Sequence, residues 1–179
     1  MTQGEGMVDV RGTDMVIGPI TLPSKSRAEG TTIAGTIKAI SISEHKGVSK
    51  TNVARAQLQC EHGIVGDAHA GPWHRQVSLL AVESIDKMAA QGARVAPGDF
   101  AENITTKGVD LGKLSIGSKL RLGDTAELEI TQFGKQCHSR CAIYAQIGDC
   151  IMPREGVFAK VVKPGWIAVG DAIEVCNGH

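Results

Sequence analysis

The chain has 179 residues with 19 basic and 19 acidic side chains, so its formal net charge at pH 7 is zero. A chain of this length fits one domain that buries roughly 70% of its unfolded surface, so neither a metal nor a disulfide is needed to fold it. The balanced charge provides no positive field for DNA or RNA, and we expect no nucleic-acid partner. Five cysteines at irregular spacing do not make a disulfide framework, so we expect reduced thiols in a cytoplasmic protein.

The N-terminal part differs from the rest of the chain. Residues 1–32 mix glycine, proline and charge without a sustained hydrophobic period, so we expect a loosely ordered tail before one domain over residues 33–176. Acidic side chains and the lack of a long apolar run argue against a signal peptide. The longest apolar run, residues 77–82, is too short to span a bilayer, and we expect no membrane partner.

Strands are predicted to dominate the domain, with few helices. Short apolar stretches separated by turns begin at residue 33, and residues 36–43 form the first expected strand. One helix is expected near residues 82–89, because Val82, Ile85 and Met88 share a face. Gly92 is a natural residue to follow the end of that helix.

Two glycine-aspartate pairs predict β-hairpins. Alternating apolar residues flank Gly123 within residues 120–130, and the same pattern flanks Gly170 within residues 167–175. Glycine supplies the positive φ that the first central position of a type II′ turn requires. Each pair is therefore expected to join two neighbouring antiparallel strands.

Two further helices are expected in the C-terminal third. One would begin at Pro153, place apolar residues of 157–162 on one face and end before Pro164. The other would be short, with Ser139 as its N-cap and Gly148 at its end. The second of these bears directly on the chemistry, because it follows a cluster of thiols.

The segment from Gln132 to Cys141 is the strongest candidate site in the sequence. It places Cys137 and His138 at the mouth of the helix that Ser139 would cap, where free backbone N–H groups favour an anion. The pKa of a thiol falls in such a position, so Cys137 is the candidate reactive cysteine. The alternative is that the cysteines here are small buried apolar residues.

A zinc site is a second alternative for these thiols. Structural zinc sites usually combine two pairs of closely spaced ligands, and only Cys137 with Cys141 has such spacing. The remaining ligand types are scattered, which argues against zinc. The full pool is Cys60, His62, His69, His74, Cys137, His138 and Cys141.

Polar and basic residues elsewhere suggest an anionic ligand. A glycine-bounded loop carries His69, His74 and Arg75, and loops of this kind hold function more often than core residues do. Near Cys137, Lys135 and Arg140 contribute to a local excess of basic residues. A solvated surface would show the same charge pattern, so both interpretations stay open.

Four stretches of the chain resemble the MOSC domain, which is named after the C-terminal part of molybdenum cofactor sulfurases. They are residues 63–69, 74–80, 97–105 and 132–137, and they occur in the family's order. The resemblance covers residues 33–176 and is to the small stand-alone prokaryotic branch. Gln136 stands where many members of the family have proline.

The resemblance implies a mostly β, barrel-like fold with a few short helices, and a molybdenum cofactor (molybdopterin) as ligand. Cys137 matches the cysteine proposed to bind the metal or to carry sulfur as a persulfide. Matching positions for the cofactor's polar groups are His69, His74, Arg75 and Asn103. The charge argument adds Lys135, His138 and Arg140 as further cofactor-binding candidates.

The implied function is sulfuration or delivery of the molybdenum cofactor, and whether the protein turns over stays open. The expected partners are a sulfur donor of the cysteine desulfurase type and a molybdoenzyme acceptor. The chain is too short to contain a pyridoxal-phosphate domain, so that cofactor would act only through a separate sulfurase partner. The alternatives are a non-catalytic module that delivers the cofactor and a zinc-stabilised domain.

Overall fold

A computed structural model describes residues 31–135 and 142–176. The expected N-terminal tail up to residue 30, residues 136–141 and residues 177–179 lie outside the described part. Strands make up 42% of the described residues, which confirms the mostly β prediction. The strands are β1 (Thr31–Ile42), β2 (Thr51–Val53), β3 (Arg55–Gln59), β4 (Gly63–Ile64), β5 (Val77–Ala81), β6 (Ile104–Lys107), β7 (Lys119–Leu122), β8 (Ala126–Phe133), β9 (Val157–Lys163), β10 (Gly165–Ala168) and β11 (Ala172–Cys176). The helices are α1 (Val82–Ala90), α2 (Ala142–Ile147) and α3 (Met152–Glu155).

Seven strands close into a barrel in the order β1-β11-β7-β8-β9-β5-β6, and β6 returns to β1. Every neighbouring pair is antiparallel except β5 and β6, so the barrel is mixed. The long strand β1 closes it by pairing with β11 through its first half and with β6 through its second half. Gly35 permits this turn between partners, because a Cβ there would lie 2.1 Å from the carbonyl oxygen of Lys107.

Apolar side chains fill the interior of the barrel. The residues that solvent does not reach include Ile40, Leu79, Ile104, Leu120, Leu128 and Ile130. A second core lies outside the barrel, where Leu80 and Phe158 pack with Ile85 and Met88 of α1. Functional polar groups are therefore confined to the outer surface and the connecting loops.

The predicted hairpin around Gly123 is confirmed. Strands β7 and β8 pair antiparallel with Leu120 opposite Leu128 and Leu122 opposite Ala126. Gly123 has φ +59° as expected, but three residues rather than two connect the strands. A bulge-type loop replaces the expected two-residue turn.

The predicted hairpin around Gly170 is wrong. Strand β10 before the turn pairs with β3 in a separate three-stranded sheet, whereas β11 after it joins the barrel. The turn bonds to β1 instead, because the N–H of Gly170 donates to the carbonyl oxygen of Ile37 at 2.8 Å. The chain thus passes between two sheets at a place where local alternation predicts one ribbon.

The helix predictions have mixed outcomes. Helix α1 is confirmed, with Ile85 and Met88 buried and Gly92 beyond its end at φ +97°. The predicted helix from Pro153 to residue 163 is wrong, because α3 ends at Glu155 and residues 157–163 form β9. The short helix before Gly148 exists as α2, although its expected cap Ser139 lies outside the described residues. None of the helices described is long and apolar enough to cross a membrane.

Candidate functional site

A row of residues runs across the outer side of the barrel wall, from β8 through β9, β5 and the residue before β6 to β1. Gln132 of β8 pairs with Phe158 of β9, and Phe158 pairs with Ser78 of β5. The row continues to Asn103, whose N–H donates to the carbonyl oxygen of Ser78 at 2.9 Å, and to Ser41 of β1, whose N–H donates to the carbonyl oxygen of Asn103 at 2.7 Å. We call Gln132, Phe158, Ser78, Asn103 and Ser41 the outer row. The candidate site residues described below lie beside this row.

Asn103, a predicted cofactor-binding residue, joins three strands through its side chain. Its Oδ1 accepts from the N–H and the hydroxyl of Ser78 at 3.1 and 3.0 Å, and its Nδ2 donates to the carbonyl oxygen of Ser41 at 3.1 Å. The residue is 1% exposed. Its amide is therefore largely used within the fold, where it holds the outer row in register.

A buried ion pair lies beside this row. The ammonium of Lys50 is 2.5 Å from Oδ1 of Asp67, and both side chains are shielded from solvent. The backbone N–H groups of Ser43 and His69 also donate to the Asp67 carboxylate, at 3.1 and 3.0 Å. The carboxylate is thus held by three donors, which identifies it as the ionised form.

The pKa shifts of the two partners have different dominant causes. Burial lowers the pKa of Lys50 and outweighs the opposing effect of Asp67. Burial would raise the pKa of Asp67, but its contacts with His69 and Lys50 outweigh burial and hold that pKa well below its usual value. Asp67 is therefore anionic at neutral pH, and its charge opposes the lowering of the Lys50 pKa by burial.

His69 lies directly over this pair and reaches the surface. Its Nδ1 is 3.3 Å from the Lys50 ammonium and 3.6 Å from Oδ2 of Asp67, and its side chain is 23% exposed. The indole N–H of Trp73 donates to the carbonyl oxygen of His69 at 2.9 Å. The imidazole of this predicted site residue is therefore held by the Lys50–Asp67 pair beneath it, and its backbone is held by Trp73.

His74 and Arg75 approach the opposite end of the outer row. A nitrogen of the exposed His74 ring, Nε2, lies 3.0 Å from Oε1 of Gln132, whose amide also donates to the carbonyl oxygen of Gly134 at 2.8 Å. The Arg75 guanidinium lies over the rings of Trp73 and Phe158, at 4.8 and 5.7 Å. Its Nε is buried and has no hydrogen-bond partner among the described residues.

Lys135 lies just beyond the end of β8 and follows Gly134, whose carbonyl oxygen accepts from the Gln132 amide. Its charge lowers the pKa of Lys50, so the two ammonium groups are close enough to repel each other. Within residues 31–135 and 142–176, no carboxylate forms an ion pair with Lys135 or Arg75. Arg75 and Lys135 are therefore two positive charges near the outer row that no described carboxylate balances.

Glu102 is a buried acid within residues 97–105, one of the stretches that resemble the MOSC domain. Its Oε1 accepts from the N–H of Gly98 at 2.6 Å and the hydroxyl of Thr105 at 2.9 Å, while Oε2 has no partner among the described residues. Burial raises the pKa of Glu102.

The remaining predicted site residues Cys137, His138 and Arg140 lie outside the described residues, as does Cys141. Of the other thiols, Cys150 is buried in the second core and Cys60 is exposed. No group of three or more metal-binding side chains occurs within the part of the chain that the structure describes.

A cleft of about 480 Å³ lies between α1, α3 and residues 108–112, and its lining includes Phe133. It contains none of Lys50, His69 or Arg75. Its rim carries charges of both signs, among them Lys87 and Glu155, which form an ion pair with each other. We place the candidate site at the outer row, because the unbalanced positive charge and the fixed imidazole are there.

Sequence reasoning missed Lys50 and gave Asp67 no separate role. Asp67 lies in the glycine-bounded loop of His69, from which only His69, His74 and Arg75 were named as candidates. Lys50 follows a run of exposed residues, and nothing in the local sequence distinguishes it from a surface lysine. Only the packing of three loops shows that it is buried.

The MOSC domain model matches residues 66–174, which is more than half of the chain. The chain belongs to the MOSC domain family. This family is associated with the molybdenum cofactor, and membership supports a role related to that cofactor. The matched range contains His69, His74, Arg75, Asn103 and Lys135.

Solved structures confirm the MOSC-type fold. YuaD from Bacillus subtilis aligns with a TM-score of 0.69 at 19% identity, over 83% of this chain and 98% of that chain. YiiM from Escherichia coli aligns at 0.58 and 18% identity, over 80% of this chain and 71% of that one. YiiM from Geobacillus stearothermophilus aligns with a TM-score of 0.58 at 19% identity, over 82% of this chain and 75% of that chain. No curated protein matches the chain.

Proposed function

We propose that this MOSC protein binds the molybdenum cofactor at the outer row, with Cys137 as metal ligand or persulfide carrier in cofactor sulfuration or delivery. The observation that carries the proposal is the gathering of Lys50, His69 and Lys135 beside the end of β8. The segment that contains Cys137 begins there.

The donor set suits the anionic part of such a cofactor. Lys135 and Arg75 supply positive charge that no described carboxylate balances, and the buried Nε of Arg75 has an unused N–H. Cationic N–H groups are strong donors to phosphate oxygens. A bound cofactor would supply a metal centre for which a thiolate is a soft, strong ligand. The residues present therefore fit the group.

Covalent connection supports the role of Cys137. Cys137 follows Lys135 by two positions in the chain. A positive environment favours a thiolate, which is the form that binds metal or carries sulfane sulfur.

Each residue near the outer row has a role in this proposal. Arg75 and Lys135 bind the anion, and His69 contacts it from above the buried ion pair. His74, held by Gln132, lines the edge of the site. Asn103 maintains the strand register beneath these groups, while His138 and Arg140 would add donors beside Cys137.

The proposal includes partners and location. A persulfide on Cys137 needs a sulfur donor of the cysteine desulfurase type, in which pyridoxal phosphate would be held. A molybdoenzyme would accept the sulfurated cofactor. Reduced thiols are required for this chemistry, so the expected compartment is the cytoplasm.

Replacing the thiol tests the proposal directly. Untagged wild-type protein, Cys137→Ser and the exposed-thiol control Cys60→Ser would be purified from molybdate-fed cells. Molybdenum would be measured by elemental analysis, pterin by fluorescence and persulfide by mass spectrometry after incubation with a sulfur donor. We expect Cys137→Ser to lose retention or loading while its melting temperature stays near that of wild type, because a hydroxyl holds neither a soft metal nor sulfane sulfur.

The outcomes separate the rival readings. Molybdenum and pterin without persulfide would favour the delivery module over the sulfur carrier. Zinc in the purified protein would favour the zinc-stabilised domain. If Cys137→Ser retains cofactor and loads sulfur like wild type, the proposal fails at its central residue.

A further inference from the structure

We propose that the buried Lys50–Asp67 pair fixes His69 as its Nε2–H tautomer, so that His69 donates a hydrogen bond to an oxygen of the ligand and does not coordinate metal. Lys50 is then a positioning residue for His69. The identity of the ligand rests on the proposed function, whereas the tautomer does not.

The first step concerns the chemistry of Lys50. An ammonium group has three N–H donors and no acceptor, so it can only donate. One donor is used by Oδ1 of Asp67 at 2.5 Å, and Nδ1 of His69 lies 3.3 Å away. Because both Lys50 and Asp67 are shielded from solvent, no bulk water competes for these donors. Nδ1 of His69 must therefore accept.

The second step excludes the rival arrangement. Nδ1 would carry the proton only if it donated to Asp67, whose Oδ2 is 3.6 Å away. A separation of 3.6 Å is too long for a side-chain hydrogen bond. The geometry favours the lone pair on Nδ1 and the proton on Nε2.

The third step gives the consequence for the ligand. Because Nδ1 accepts from Lys50, Nε2 is the ring nitrogen that remains for a ligand at the partly exposed side of the imidazole. A nitrogen that carries a proton donates to an acceptor oxygen and has no lone pair for a metal. Phosphate and molybdate both present such oxygens. His69 is therefore specific for an oxyanion and complements the cations Arg75 and Lys135.

Nitrogen NMR of the wild-type protein, labelled at histidine, tests the tautomer without any ligand. The signals of His69 would be assigned by their absence in His69→Gln. We expect one protonated Nε2 and one unprotonated Nδ1. A protonated Nδ1, or an even mixture of tautomers, would overturn the proposal with no variant of Lys50 needed.

Variants then test whether Lys50 is the cause. Lys50→Met with Asp67→Asn removes both charges together, which avoids leaving one of them buried alone. We expect this double variant to gain the Nδ1–H tautomer, whereas Lys46→Met, in the same loop but exposed, should match wild type. An unchanged Nε2–H tautomer in a folded double variant would refute a positioning role for Lys50.

Two oxyanions test the ligand chemistry. Inorganic phosphate and molybdate would be titrated separately at constant ionic strength, with chloride as control. Movement of the His69 Nε2–H signal with phosphate alone would place a phosphate group there, and movement with molybdate alone would place the metal oxygens there. Absence of movement with both would refute the donor role, while cofactor loss in Cys137→Ser would still support the proposed function.

Discussion

Asp67→Asn is the substitution that best tests how the candidate site is held. The change keeps the size of the side chain and removes its charge. Both carboxylate oxygens accept in the wild-type protein, Oδ1 from Ser43 and Lys50 and Oδ2 from His69. Asparagine has only one oxygen, so its NH2 group must face an N–H donor. The ammonium of Lys50 is then buried without a counter-charge.

The expected loss of stability is large because the pair is fully buried. Removing one partner of a buried ion pair costs about 3–5 kcal/mol. For a protein of this size each kcal/mol lowers the melting temperature by about 2–4 °C, which gives a fall of roughly 6–20 °C. The same change at the exposed Asp86 of α1 is the matched control and should stay within about 0.5 kcal/mol.

The pH dependence of stability provides an independent test of the charges assigned to Asp67 and Lys50. The pKa of Asp67 is lower in the folded state, so its contribution is present above the unfolded pKa of about 3.9 and is lost as pH falls further. In the variant, unpaired Lys50 has a pKa below its unfolded value, so stability should rise with pH up to about 10. Chemical denaturation at several pH values measures both effects. A loss below about 1 kcal/mol at pH 7, or variant stability that is flat at alkaline pH, would refute the argument.

Three other measurements test the surroundings of the site. Ala101 has φ +61°, which costs an L-residue about 1–2 kcal/mol, so Ala101→Gly should stabilise by up to about 1 kcal/mol in denaturant titrations. Burial raises the pKa of Glu102, so wild-type stability should fall as pH rises from about 4.3 through the folded pKa. Glu102→Gln should abolish that fall, and a variant that keeps it would contradict the assignment. Cys60 should react with iodoacetamide well before the buried Cys150, and equal rates by mass spectrometry would show that Cys150 is accessible.

Local patterns predicted the fold where neighbouring segments pair with each other. The hairpin of β7 and β8 and the face of α1 follow from periodicity alone. The turn at Gly170 has the same pattern but connects two sheets, because alternation does not specify which strand becomes the partner. Residues 157–163 fit helical spacing and strand alternation equally, and their β-branched residues belong to a strand buried on most positions.

The candidate site was predicted only in part, since its chemistry depends on contacts between distant loops. His69 was expected from the resemblance to the MOSC domain and Lys135 from the local excess of basic residues. Both lie close to Lys50. Lys50 itself carries no sequence signal, because its burial arises from residues 17 and 19 positions away. Asn103 was expected to bind the cofactor, and the structure gives its amide a role in joining strands.

The loops around the outer row form one hydrogen-bonded unit. The N–H of Ala68 donates to the carbonyl oxygen of Ser43 at 2.7 Å, and the N–H of Lys50 donates to the carbonyl oxygen of Gly98 at 2.9 Å. Gly98 has φ +99°, and a Cβ there would lie 2.5 Å from the carbonyl oxygen of Lys50. The loop that contains Glu102 can therefore approach Lys50 only with glycine at this position. Because the barrel interior is filled, this close fit of the outer loops is what allows a buried ion pair to support a partly exposed imidazole.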